Sequence, residues 1–174
     1  MVMEVSDEES MDNLIQELMN ALKAKLWYAG LLMTLMLPDV CAALEAEDGL
    51  SSRKRYKAWC ERWLMKKYVT HLSADDLYYL RCGVAHQAKF DHDGIRYERI
   101  FFTLRPDGKF FHKNVLDGAL NLDLVWFCKD VVESVQEWFA QKHNDPHVRA
   151  HLTNLVQFYP TGLEPYLKGV PAIG

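Results

Sequence analysis

The strongest constraint on this chain is a helical repeat of apolar residues. From Asn121 onward, Leu124, Cys128, Val131, Val135 and Trp138 return every three or four positions over about five turns. A 3.6-residue period gathers them into one stripe, and a stripe of that length has to be buried against other elements. Met11, Leu14, Ile15, Leu18, Met19 and Leu22 form a shorter stripe of the same kind near the start. Two long amphipathic helices need helical partners, so the expected fold is mostly α.

The rest of the chain supplies those partners. A second helical stretch begins near Lys25 and meets Pro38, where a missing donor and the ring's clash with the preceding turn predict a kink or a restart. A third runs from Ser51 to Tyr68, with Tyr56, Trp59, Trp63 and Leu64 as its apolar stripe. Ser73 and Asp76 have capping-box spacing, so a fourth helix is expected to start at Ala74. Branched and aromatic residues between Ile95 and Leu104, followed by Arg105-Pro106-Asp107-Gly108 and then Lys109-Phe110-Phe111-His112, predict a short β-hairpin near 95–112. A final helix opens at Asp145-Pro146, and residues 160–174 read as an extended tail. The expectation is one domain over 1–174, a bundle of about five to six helices with its core at about 11–158.

Composition narrows the function classes. A chain of 174 residues fits a single domain. Its net charge of −4 argues against coating nucleic acid over the whole surface, so any such contact is expected to be local. Met1 to Asp12 carry five acidic groups and no basic start, so no signal peptide is read. The longest apolar run, Leu26 to Leu37, is short of the ~20 residues that cross a bilayer. Both points predict a cytoplasmic protein without a membrane partner. Cys41, Cys60, Cys82 and Cys128 form no Cys-x2-Cys pair and are expected to be free thiols.

The fourth helix carries the chemistry. On a wheel of 100° per residue, Leu77, Leu80, Val84 and Ala88 gather on one side and Tyr79, Cys82 and His86 on the other, with Arg81 beside the first group. Few charges interrupt either side, so the helix is expected to be covered on more than one face. Five residues turn through about 140°, which places Arg81 and His86 off a common narrow stripe but in position to flank a cleft. A second copy packed antiparallel across a two-fold axis would bring two such pairs around one groove.

Arg81-Cys82-Gly83-Val84-Ala85-His86 resembles the Arg-x4-His motif of the HEPN superfamily, the higher eukaryote and prokaryote nucleotide-binding domains. Leu37-Pro38-Asp39, Ala43-Leu44-Glu45, Ser52-Arg53-Lys54-Arg55-Tyr56, Leu80-Arg81-Cys82 and His86-Gln87 are similar to a group of small bacterial proteins placed with that superfamily, over most of residues 26 to 140. The resemblance implies a HEPN-like helical bundle, a homodimer, and metal-independent cleavage of RNA by 2′-hydroxyl attack with no cofactor. His86 would then act as acid or base, since imidazole exchanges protons near neutrality, and Arg81 would steady the phosphorane through a bidentate contact. Active members usually carry a polar residue directly after the Arg, where this chain has Cys82. The alternative is therefore a non-catalytic HEPN-like domain that binds nucleotide, RNA or a protein partner such as an antitoxin or a regulator.

Other residues were weighed beside this pair. Arg53, Lys54, Arg55, Lys57, Arg62, Lys66 and Lys67 make a basic stretch interleaved with Tyr56, Trp59, Trp63 and Tyr68. It reads either as an RNA-binding surface, with Arg53, Lys54, Arg55 and Lys57 as its contacts, or as a solvated face whose aromatics point inward. Asp39 and Glu45 could each orient an arginine, and Asp39 could instead complement a helix start. His143, His147 and His151 are spaced by four, but Pro146 interrupts the stripe and no metal is expected there; His92, between Asp91 and Asp93, reads as a surface loop residue.

Overall fold

A computed structural model of the chain describes residues 7–87, 95–104 and 111–174. Ala88, His92 and the turn at 105–108 lie outside them. Six α-helices and two small sheets make up the described fold: α1 (Asp7–Lys23), α2 (Trp27–Glu45), α3 (Arg53–Trp59), α4 (Ala74–Gln87), β1 (Arg99–Thr103), β2 (Asn114–Leu116), β3 (Ala119–Asp123), α5 (Leu124–Lys142), α6 (Pro146–Leu152), β4 (Phe158–Tyr159) and β5 (Ala172–Ile173). The mostly α expectation with a small β insertion is borne out.

The bundle is organised around α2, which touches α1, α3, α4, α5 and α6. Leu31, Leu35, Leu37, Cys41 and Leu44 are its buried contribution. By length and composition α2 could cross a membrane, yet half of it is buried inside the fold, the position of a core helix. At Gly30 of α2 the Leu22 side chain of α1 packs onto the backbone: a Cβ there would stand 2.7 Å from Leu22 Cδ2, so a larger residue would make that side chain shift. The helix runs through Pro38 without the expected restart. An interior proline costs roughly 3 kcal/mol, and burial against five neighbouring helices outweighs it. Asp39 therefore sits in mid-helix and complements no helix start.

After α3 the chain continues as a π-helical turn, Cys60–Leu64, and a 3-10 turn, Met65–Lys67. Tyr56, Trp59, Trp63 and Tyr68 are all buried. The capping box forms as predicted: Asp76 Oδ2 accepts from the Ser73 backbone N–H, and Ser73 Oγ from that of Asp76. Asp76 also accepts from the backbone N–H of Arg96 at 3.1 Å and from its Nε at 3.0 Å, tying the approach to β1 to the start of α4.

The insertion is a three-stranded sheet in the order β1-β3-β2, with β1 parallel to β3 and β2 antiparallel to it. Among the described residues β1 pairs with β3; Lys109 and Phe110 of the expected second strand lie outside them. The tight turn is Asp117-Gly118, both with positive φ, a conformation that glycine and aspartate tolerate better than most residues. Ile100, Leu120 and Leu122 point into the core. Asp123 ends β3 and caps α5, accepting from the Trp126 backbone N–H at 2.9 Å, just as Asp145 caps α6. The segment expected as an extended tail folds back, with β5 paired to β4 and Gln157 and Gly174 exchanging two backbone hydrogen bonds.

Candidate functional site

Arg81 and His86 meet. Arg81 Nη1 lies 3.2 Å from His86 Nε2, because the long arginine side chain spans the angle that separates the two positions on the helix. A guanidinium only donates, so a neutral His86 receives this bond on Nε2 and carries its own hydrogen on Nδ1. The other edge of Arg81 is held from α2, where Nε donates to Asp39 Oδ2 at 2.6 Å, and Asp39 Oδ1 accepts from Ser51 Oγ at 2.6 Å. Of the orienting roles open to Asp39 and Glu45, Asp39 fills this one, while Glu45 Oε1 stands 3.3 Å from Lys142 Nζ.

Burial graduates across the site. The side chains of Asp39 and Arg81 are 16% and 24% exposed, whereas His86 is open to solvent. Burial works against the charge of Arg81, and the Asp39 carboxylate outweighs it, so the guanidinium is held above its ordinary pKa. Cys82 Sγ lies 3.9 Å from Arg81 Nη1 and is half-buried. The phenol of Tyr78 is pushed up, first by its hydrogen bond to Cys82 and then by desolvation. A fixed cation beside a solvent-facing imidazole can grip an anionic oxygen while the ring moves a proton. Within one chain α4 buries Leu77, Leu80 and Gly83, half-buries Tyr79, Cys82 and Val84, and leaves Ala85, His86 and Gln87 at its end exposed.

The basic stretch is placed near but largely paired. Arg53 Nη2 donates to Asp75 at 3.1 Å and to the Tyr79 hydroxyl at 2.7 Å, with its guanidinium 5.0 Å from the centre of the Tyr79 ring. Lys57 Nζ bonds Asp75 at 2.7 Å, and Arg55 Nη1 bonds Asp48 and the Leu50 carbonyl, each at 2.6 Å. Lys54 is exposed and makes no ion pair among the described residues. With Tyr56, Trp59, Trp63 and Tyr68 buried, none of these four aromatics is available for stacking on a base, and the inward-pointing alternative holds for them.

The remaining candidates separate. His151 Nδ1 lies 3.2 Å from the Leu44 carbonyl, His143 stands at the C-terminus of α5, and His147 stacks on His151 at 6.5 Å between ring centres. Among the described residues no group of three or more potential metal ligands converges. Sequence reading missed a second polar centre on α5, Asp130. Its Oδ2 accepts from the Tyr68 hydroxyl at 2.7 Å and from Lys113 Nζ at 3.3 Å, with His112 Nε2 at 3.8 Å. Burial favours the neutral acid, but His112, Tyr68 and Lys113 hold this carboxyl down at about 2. These partners come from two stretches of chain far from Asp130 in sequence, and no local spacing signals them.

Compared with protein-family models, curated proteins and solved structures, the chain matches none.

Proposed function

We propose that this protein is a HEPN-type, metal-independent endoribonuclease that acts as a homodimer, with Arg81 and His86 as its catalytic pair. The observation that carries the reading is the pairing itself: an exposed imidazole 3.2 Å from a guanidinium whose other edge is locked by Asp39. In the reaction the 2′-oxygen of RNA forms a bond to the adjacent phosphorus and the bond to the 5′-oxygen breaks, leaving a cyclic phosphate. One imidazole takes the 2′-hydroxyl proton, a second returns a proton to the departing oxygen, and Arg81 compensates the charge on the phosphorane.

Two imidazoles require two chains. Tyr28, Leu32, Met36 and Asp39 share one side of α2, at spacings of four, four and three. Tyr28 is 83% exposed and Met36 43%. This apolar stripe ends at the residue that anchors Arg81, so a partner copy seated on it carries its own Arg81 and His86 to the same groove. Arg53, Lys54, Arg55 and Lys57 would receive the RNA backbone, and the setting would be the cytoplasm, away from membranes.

One observation favours the other reading, a non-catalytic domain that binds nucleotide, RNA or a regulatory protein. Arg81 is engaged on both edges and is followed by Cys82 rather than a polar side chain. Cleavage of a structured RNA separates the two. His86→Ala is expected to lose roughly 10²–10⁴-fold in rate while remaining folded, Arg81→Lys to fail because an ammonium lacks the planar fork, and EDTA to change nothing. A folded His86→Ala protein that cuts at the wild-type rate removes the ribonuclease assignment. A wild-type protein that binds RNA without cutting it establishes the second reading.

A further inference from the structure

The buried aromatics of the basic stretch leave another group to meet a base. Arg53, at the start of α3, stands against two tyrosines of α4, its Cζ 5.3 Å from the centre of the Tyr78 ring and 5.0 Å from that of Tyr79. Its Nη2 is tied to Asp75 at 3.1 Å and to the Tyr79 hydroxyl at 2.7 Å, yet the side chain is still 52% exposed. We propose that Arg53 is a base-stacking residue: an unpaired base two or three nucleotides from the bond that is cut lies on the open side of its guanidinium. The position relative to the cut rests on the ribonuclease reading, whereas the contact itself rests on the setting of Arg53.

Place, charge and rigidity lead to that role. Asp75, Tyr79, Cys82 and His86 follow one another at spacings of four, three and four, so they share one face of α4. From Tyr79 to His86 the helix advances about 10 Å. A stacked strand advances ~3.4 Å per nucleotide and an unstacked one further, so about two or three nucleotides reach from His86 to Arg53. Contacts run continuously between them: the Tyr78 hydroxyl bonds Cys82, Cys82 Sγ lies 3.9 Å from Arg81 Nη1, and Arg81 meets His86. Asp75 is shared with Lys57 Nζ at 2.7 Å, so one carboxylate faces two cations, and exposed Lys54 adds a third. A strand is therefore drawn to this surface by charge, which the two lysines supply without any plane. What Arg53 adds is a flat cation fixed through Nη2, with tyrosine rings on its inner side, whose freedom is largely spent before a ligand arrives. Bases stack on such guanidinium planes with little regard to their identity, provided they are not already paired in a duplex.

Fluorescence anisotropy of the full chain with a short single-stranded RNA, 2′-O-methylated so that it cannot be cut, tests the contact without cleavage. The comparison ligand is a strand of the same length and charge built from abasic nucleotides. Wild type is expected to bind the RNA at least about tenfold tighter than the abasic strand, the usual strength of a base stack. Arg53→Lys keeps the charge and loses the plane, so it should weaken the RNA by about tenfold, leave the abasic strand unchanged and preserve the salt dependence. Tyr79→Phe, which removes one anchor of Nη2 and keeps the ring, should weaken the RNA by a smaller factor and again spare the abasic strand. If Arg53 only ties α3 to α4, both variants will weaken the two strands alike, and the inference is overturned. Equal binding of both strands by wild type, or binding of neither, overturns it as well. A protein that shows the expected selective loss but never cuts RNA keeps the stacking residue and loses the ribonuclease reading. One that cuts RNA while Arg53→Lys discriminates like wild type keeps that reading and loses the stacking residue.

Discussion

Replacing Asp39 by Asn removes one charge from the Arg81 anchor while keeping its shape. Arg81 and Asp39 are mostly shielded from water, with side chains 24% and 16% exposed and 2.6 Å between Nε and Oδ2. Breaking a fully buried pair by removing one partner costs about 3–5 kcal/mol. Two features reduce that here: water still reaches part of both groups, and the asparagine oxygen can accept the Nε hydrogen bond. About 2 kcal/mol remains, the range of a hydrogen bond to a charged group. For a domain of this size each kcal/mol moves the melting temperature by roughly 2–4 °C, so Asp39→Asn should melt about 4–8 °C lower. The sharper test is a double-mutant cycle. In an Arg81→Gln background the same change should be neutral or stabilising, because the carboxylate no longer has a cation to hold, giving a coupling of about 2 kcal/mol. A single variant that melts within about 1 °C of wild type, or a cycle with no coupling, would refute the claim that Asp39 fixes Arg81.

Asp130→Asn should flatten the acid limb of stability. The carboxyl sits at about 2 in the fold against the 3.8 of an ordinary aspartate, so its contribution, on the order of 2 kcal/mol, is present above about pH 4 and fades as the pH falls to about 2. Urea melts across that window with equal acid slopes in wild type and variant would count against this. Gly30→Ala should leave stability within about 1 kcal/mol of wild type, because its Cβ meets only the tip of the Leu22 side chain at 2.7 Å, which can turn aside, and alanine's better helix propensity offsets that shift; a loss of more than about 2 kcal/mol in urea melts would show that Leu22 cannot move. Replacing Arg53 and Arg55 by Gln should weaken RNA binding and reduce its salt slope by about 2; unchanged affinity assigns both to their bonds with Asp75 and Asp48.

What the sequence made legible follows from the range of the interactions. The Ser73–Asp76 capping box acts over three residues, and it placed the start of α4 correctly. The same carboxylate's bonds to Arg96 reach across 20 residues and left no trace in the spacing. Arg81 and His86 were readable as a motif, but not their contact, since a wheel ranks backbone directions and ignores the length of an arginine. Asp39 was seen as a candidate in two roles, and only the unbroken α2 across Pro38 decides between them. In the insertion two turn signals competed. Arg105-Pro106-Asp107-Gly108 drew the prediction and lies outside the described residues, while the two-residue Asp117-Gly118 turn, also a hairpin signature, joins the described pair β2 and β3. Apolar period alone could not say whether the aromatics of the basic stretch faced inward, because a charged helix with one aromatic stripe has the same pattern in either case.

The junction at Asp123 protects the sheet against slippage. In β3, Leu120 and Leu122 face the core, and a shift of one residue would turn both toward solvent. No loop stands between β3 and α5, and Asp123 is both the last paired strand residue, opposite Thr103, and the cap of the helix. A slipped strand would therefore also draw the carboxylate away from the Trp126 amide, adding about 1 kcal/mol of lost capping to the exposed leucines. A misregistered sheet thus penalises the longest amphipathic helix of the bundle at the same moment, and the correct pairing is selected by two elements at once.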